Sequence, residues 1–132
     1  MYASVERRKF CNQKYRYMDY YESEPRAALA CVPSAIPSSE RAQHFELARR
    51  LLRELAEERQ ELSNGYAWRF RASHLEAVAQ FVSNERKCCP FVDFELTIAA
   101  ADGPIWLRLT GPRGTREVLQ AELELAGSCG CG

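Results

Sequence analysis

Between Ser73 and Ile98 the spacing of apolar residues changes from a helical period to a strand period, and the change falls on Glu85-Arg86-Lys87-Cys88-Cys89-Pro90-Phe91. Upstream, Leu75, Val78, Ala79 and Val82 recur at three- and four-residue steps; downstream, Val92, Phe94, Leu96 and Ile98 alternate with Asp93, Glu95 and Thr97. Ser73, with Glu76 three residues on, has the spacing of a capping box and marks the start of the helix. Pro90 disfavours helical backbone at the residue before it, so Cys89 is the turning residue between helix and strand. Seven-residue steps from Val82 and Phe81 land on Cys89 and Cys88, which directs both thiols toward the packed side or its edge.

The rest of the chain is arranged around that joint. Ala28-Leu29-Ala30-Cys31-Val32, closed by Pro33 and Pro37, reads as a first strand or an extended entry segment. Ser38 or Ser39 then caps a long amphipathic helix with Phe45, Ala48, Leu51, Leu52, Leu55 and Leu62 on its apolar face, running to a glycine stop at Asn64-Gly65. Tyr66, Trp68 and Phe70 alternate as a strand, and Ile105, Leu107 and Leu109 make an antiparallel partner for the strand after Pro90, across the turn Asp102-Gly103-Pro104. Thr115 caps a last helix carrying Val118, Leu119, Ala121, Leu123 and Leu125. The expected order is β-α-β-α-β-β-α, a two-layer α+β domain over residues 28–126 in which three helices cover a four-stranded, largely antiparallel sheet. Residues 1–27, rich in tyrosine and charge without a period, read as an extension that is loosely ordered or docks on the body, which leaves a homo-oligomer open. Residues 127–132 read as a flexible Cys-Gly-Cys tail.

Eighteen basic and eighteen acidic side chains cancel, so no basic footprint for nucleic acid or an anionic membrane is present. No apolar run approaches the roughly 18 residues of a membrane helix, and no apolar segment follows Met1, so the cytoplasm is the expected compartment. In a reducing compartment the cysteines, spaced as Cys88-Cys89 and Cys129-Gly130-Cys131 with Cys11 and Cys31 apart, point to soft-metal binding or redox chemistry before structural cross-links.

Cys88 and Cys89 offer two soft sulfurs on neighbouring residues. Arg86 and Lys87 would favour the thiolate form, while the negative end of the helix dipole opposes it. The tail cysteines Cys129 and Cys131 sit on glycine hinges and can fold back to complete a four-sulfur site, and Cys31 is a further candidate. The same spacing also suits two ordinary small hydrophobes buried at a turn. His44 and His74, each near a helix start, are read as exposed or locally satisfied residues and not as ligands. Asp93 and Glu95 fit the solvent face of a strand, with a proton-donor role as the alternative. The Gly111–Thr115 loop lacks the ending of a phosphate loop and reads as a plain turn.

The run from Glu85 to Leu96, followed by Trp106-Leu107-Arg108-Leu109-Thr110-Gly111-Pro112, resembles a group of small bacterial proteins. These share a Glu-Arg-x-Cys-Cys-Pro-Phe-x-x-Phe-x-Leu segment and an upstream Ala-Cys dipeptide, matched here by Ala30-Cys31. The resemblance implies an association with resistance to heavy metals, mercury among them. The leading expectation is a cytoplasmic binding protein for a thiophilic metal ion (mercury, copper(I) or zinc), held by Cys88 and Cys89 with Cys31, Cys129 and Cys131 as auxiliary ligands. A thiol enzyme is the alternative, either a thiol-disulfide redox protein or an organometal-cleaving lyase using two thiols and Asp93. An interaction module with incidental buried cysteines is the third.

Overall fold

A computed structural model describes residues 29–123. The expected extension (1–27) and tail (127–132) lie outside these residues, and with them Cys11, Cys129 and Cys131. After a 3-10 turn at Pro33–Ala35, helix α1 (Ser38–Arg49) begins behind Pro37 without a side-chain cap and continues as a π-helical stretch, Arg50–Leu55. Strands β1 (Glu58–Leu62) and β2 (Gly65–Phe70) follow. Helix α2 (Leu75–Cys88), strands β3 (Asp93–Ile98) and β4 (Ile105–Thr110) and helix α3 (Thr115–Glu122) complete the described residues. The sheet is antiparallel throughout, in the order β1-β2-β4-β3. The α+β layering therefore stands as read from the sequence, with one displacement: the fourth strand is Glu58–Leu62, and residues 29–32 form none.

The reason lies in what each segment can bury. Between Ala56 and Leu62 there is no apolar residue, so a helix continued past Leu55 would have no face to pack. Ala56 turns extended (φ −63°, ψ 130°), and the acidic run finds arginines across the hairpin instead. Arg71 Nε donates to Glu57 Oε2 at 2.9 Å, and Arg69 Nε to Glu58 Oε1 at 3.2 Å. Gly65 is not a helix stop but the first residue of β2. A Cβ there would sit 1.9 Å from the Leu109 carbonyl oxygen, so glycine is what lets β2 and β4 approach.

One face of the two central strands makes the core. Trp68 lies opposite Leu107, Tyr66 opposite Leu109 and Phe70 opposite Ile105, and directly opposed residues share a face. All six are buried, together with Leu51, Val78, Phe81 and Leu119 from the helical layer. Burying each such side chain contributes about 1.5–3 kcal/mol. The edge strand β3 continues this face past the helices: Leu96, opposite Leu107, is 37% exposed and Ile98, opposite Ile105, is 55% exposed.

The other two helix starts, like that of α1, differ from the sequence expectation. α2 opens through a 3-10 turn at Ala72–His74 and has no side-chain cap, so the Ser73/Glu76 box does not form. At α3 the cap residue is Gly114, with φ 98°, a conformation glycine adopts without strain. The Thr115 hydroxyl donates to the Pro112 carbonyl at 2.6 Å. No helix among the described residues is long and apolar enough to cross a membrane.

Candidate metal centre

The buried stripe of α2 is rotated from the expected one. Val78, Phe81, Asn84, Glu85 and Cys88 are buried, while Ala79 is exposed and Leu75 and Val82 are half-buried. Pro90 ends the helix as expected: Cys89 closes it with φ −119° and ψ 80°, its N–H still bonded to the Glu85 carbonyl at 2.8 Å. Cys88 and Cys89 are both 0% exposed.

The residues read as a first strand have a different task. A helix C-terminus leaves carbonyls without intrahelical partners, and the Val32 N–H takes the Cys88 carbonyl at 2.6 Å. That bond seats residues 29–32 on the end of α2 in place of a sheet ladder. It brings Cys31 Sγ to 2.7 Å from Cys89 Sγ, across 58 residues of sequence.

Glu122, on the last turn of α3, completes the group. Its Oε1 is 3.7 Å from Cys89 Sγ and its Oε2 4.0 Å from Cys88 Sγ. One ligand atom each from Cys31, Cys88, Cys89 and Glu122 lies within 4.8 Å of all the others, a donor set able to hold a metal ion. Behind it, Cys89 Sγ donates to Glu85 Oε2 at 3.3 Å, and Glu85 Oε1 meets His44 Nε2 at 2.7 Å. Both side chains of that pair are fully buried. His44 also stacks on Phe81, centroids 5.6 Å apart and planes within 10°. Its Nδ1 has no hydrogen-bond partner among the described residues, which fits a tautomer carrying the proton on Nε2, toward Glu85.

Of the three thiols, Cys88 is the one whose surroundings favour the thiolate. Hydrogen bonds from Cys31 and then Cys89 push the Cys88 thiol down to about 3, aided by the Val32 N–H. Cys31 is pushed up, first by its hydrogen bond to Cys88 and then by burial. Cys89 is pushed up by the same thiol hydrogen bonds, by burial and by the charges of Glu85 and Glu122. Burial, with Glu85 beside it, raises the Glu122 carboxyl to about 9. Arg86 and Lys87, expected to favour a thiolate, are exposed; neighbouring thiols stabilise it instead.

Three of the five expected cysteine ligands thus come together, and Cys129 and Cys131 fall outside the described residues. Asp93 is not part of the donor group: it lies opposite Thr110, on the sheet face away from Phe94 and Leu109. Sequence reasoning missed Glu122, Glu85 and the partnership of His44 with Glu85. The signal was present in their positions. Glu122 follows Leu119 by three, Glu85 follows Phe81 by four, and His44 precedes Ala48 by four, so each is a charged or titratable residue on a core-facing stripe.

No known family model, curated protein or solved structure matches the chain.

Proposed function

We propose that this is a small binding protein that captures a thiophilic metal ion through Cys31, Cys88 and Cys89, with Glu122 as a fourth donor. The observation that carries this reading is the convergence of three sulfurs and a carboxylate, from three separate segments, within 4.8 Å. Thiolates select soft ions such as copper(I), zinc and mercury over the hard cations that carboxylates alone would hold. Four protein donors make a closed site, which suits holding an ion more than catalysing at it. Half-buried Cys31 is the point of entry. At a zinc–sulfur distance of about 2.3 Å, two sulfurs in a tetrahedron stand roughly 3.8 Å apart. Loading therefore widens the 2.7 Å gap between Cys31 and Cys89 by about 1 Å. A reducing cytoplasm and a role in metal resistance suit such a site and complete the proposal.

Anaerobic purification, metal analysis and thiol counting test it on the wild type and on Cys88→Ser/Cys89→Ser. The expected result is one soft ion per chain, lost in the double variant. A wild-type protein that takes up no soft ion with all its thiols reduced overturns the reading.

The 2.7 Å contact supports a second reading, thiol-disulfide exchange. Here Cys31 and Cys89 reduce an external disulfide, forming their own disulfide and releasing two thiols. Loss of two hydrogen masses on exposure to oxidised glutathione, reversed by a dithiol and absent in Cys31→Ser, is its signature.

A further inference from the structure

The donor set also discriminates between classes of soft ion. Cys88 and Cys89 are 0% exposed, and the acidic groups around them are in excess: three thiols and the carboxyls of Glu85 and Glu122, with His44 on the far side of Glu85. Net charge that the neighbouring thiols do not offset by hydrogen bonding is held away from water, which is costly. Zinc bound by three thiolates and a carboxylate leaves a net double negative charge. Mercury(II) on three thiolates leaves a single one. A trivalent metalloid on three thiolates leaves none.

We infer that the preferred cargo of this site is trivalent arsenic or its heavier congener antimony, held by Cys31, Cys88 and Cys89 as a neutral three-sulfur adduct. This rests on the soft-ion reading above and narrows it. The chemistry balances without a further reactant. Arsenous acid carries three hydroxyls; three As–O bonds break and three As–S bonds form, and the hydroxides leave as three waters on the protons of Cys31 and Cys89 and one proton taken from solvent in place of the one Cys88 has already lost, with arsenic trivalent throughout. The ligand arrives uncharged, so it can pass the half-buried Cys31 and enter an apolar surround. Trivalent arsenic is pyramidal, with a lone pair on its fourth side, so it needs three donors on one side. Two adjacent cysteines at a helix end and a third from the segment bonded to that end supply them. Glu122 is then a neighbour of the adduct and not a ligand, which separates this cargo from a four-coordinate divalent ion.

The test uses the full chain carrying Cys11→Ser, Cys129→Ser and Cys131→Ser, so that only the three clustered thiols remain. Arsenite and cadmium are titrated separately under anaerobic, reducing conditions, and arsenic X-ray absorption counts the sulfurs. One arsenic per chain with three sulfur neighbours is expected. Cys31→Ser weakens arsenite binding by more than the roughly 10–100-fold that loss of a supporting group costs. Glu122→Gln weakens cadmium binding by a larger factor than arsenite binding. The sulfur count needs no further variant, so it stands even where a serine substitution impairs folding. Cadmium binding without arsenite binding overturns this inference and leaves the soft-ion site intact. Arsenic with two sulfurs also overturns it. Binding of neither ion to the folded protein overturns both.

Discussion

Cys88 and Glu122 pull the pH dependence of stability in opposite directions, and separating them gives a direct check on the buried site. Glu122 ordinarily titrates at 4.5 and in the folded protein at about 9. Between those values the native state holds a proton that the unfolded chain has released, so this carboxyl makes stability fall as pH rises. Cys88 ordinarily titrates at 9.0 and in the folded protein at about 3. Over the same range the native state has released a proton that the unfolded chain keeps, so the thiol makes stability rise with pH. Each contributes up to about 1.4 kcal/mol per pH unit, and in the wild type the two cancel between about pH 5 and pH 8. Burial is the main cause of the shift at Glu122, and thiol hydrogen bonds the main cause at Cys88, so each persists when the other residue is replaced. Relative to wild type, Cys88→Ser should make the slope of unfolding free energy against pH more negative, and Glu122→Gln more positive, each by up to about 1.4 kcal/mol per unit. Urea unfolding of metal-free, reduced protein, followed by the fluorescence of buried Trp68 at half-unit steps, measures both. Three parallel curves would refute the charge arrangement described for the site.

Gly65→Ala places a methyl 1.9 Å from the Leu109 carbonyl oxygen and must push β2 from β4, so a loss of at least about 3 kcal/mol is expected in urea unfolding. Glu85→Ala strips His44 of its buried hydrogen-bond partner and should cost about 1–3 kcal/mol, whereas His44→Phe with Glu85→Leu should recover most of it; failure to recover would place the importance of Glu85 at Cys89. Ile98→Thr, on the exposed end of the edge strand, should shift stability by less than about 0.5 kcal/mol in the same assay, and a larger loss would mean that the strand end is covered.

Local pattern carried a good deal of this protein. The alternations Tyr66-Trp68-Phe70 and Ile105-Leu107-Leu109, the stop at Pro90 and the layering of helices on an antiparallel sheet all follow from which residues can share a buried face. The apolar spacing of α1 failed past Leu55, because Leu62 fits a helical stripe by number while Glu57 and Glu58 are held by arginines across a hairpin. Those arginines are a tertiary feature with no trace in the spacing.

The two adjacent thiols, and their aim toward the packed side, were written in the chain near Pro90. What made them a site was not. Cys31 reaches Cys89 because a helix end leaves the Cys88 carbonyl in need of a donor and the Val32 N–H supplies it, 56 residues away in sequence. Glu122 arrives because α3 packs its last turn over the same place. Periodicity reports which face of an element is buried; it does not report which other element lies against that face. The meeting of three sulfurs and a carboxylate is a fact of packing, and it turns a cysteine pair at a turn into a centre with a defined chemistry.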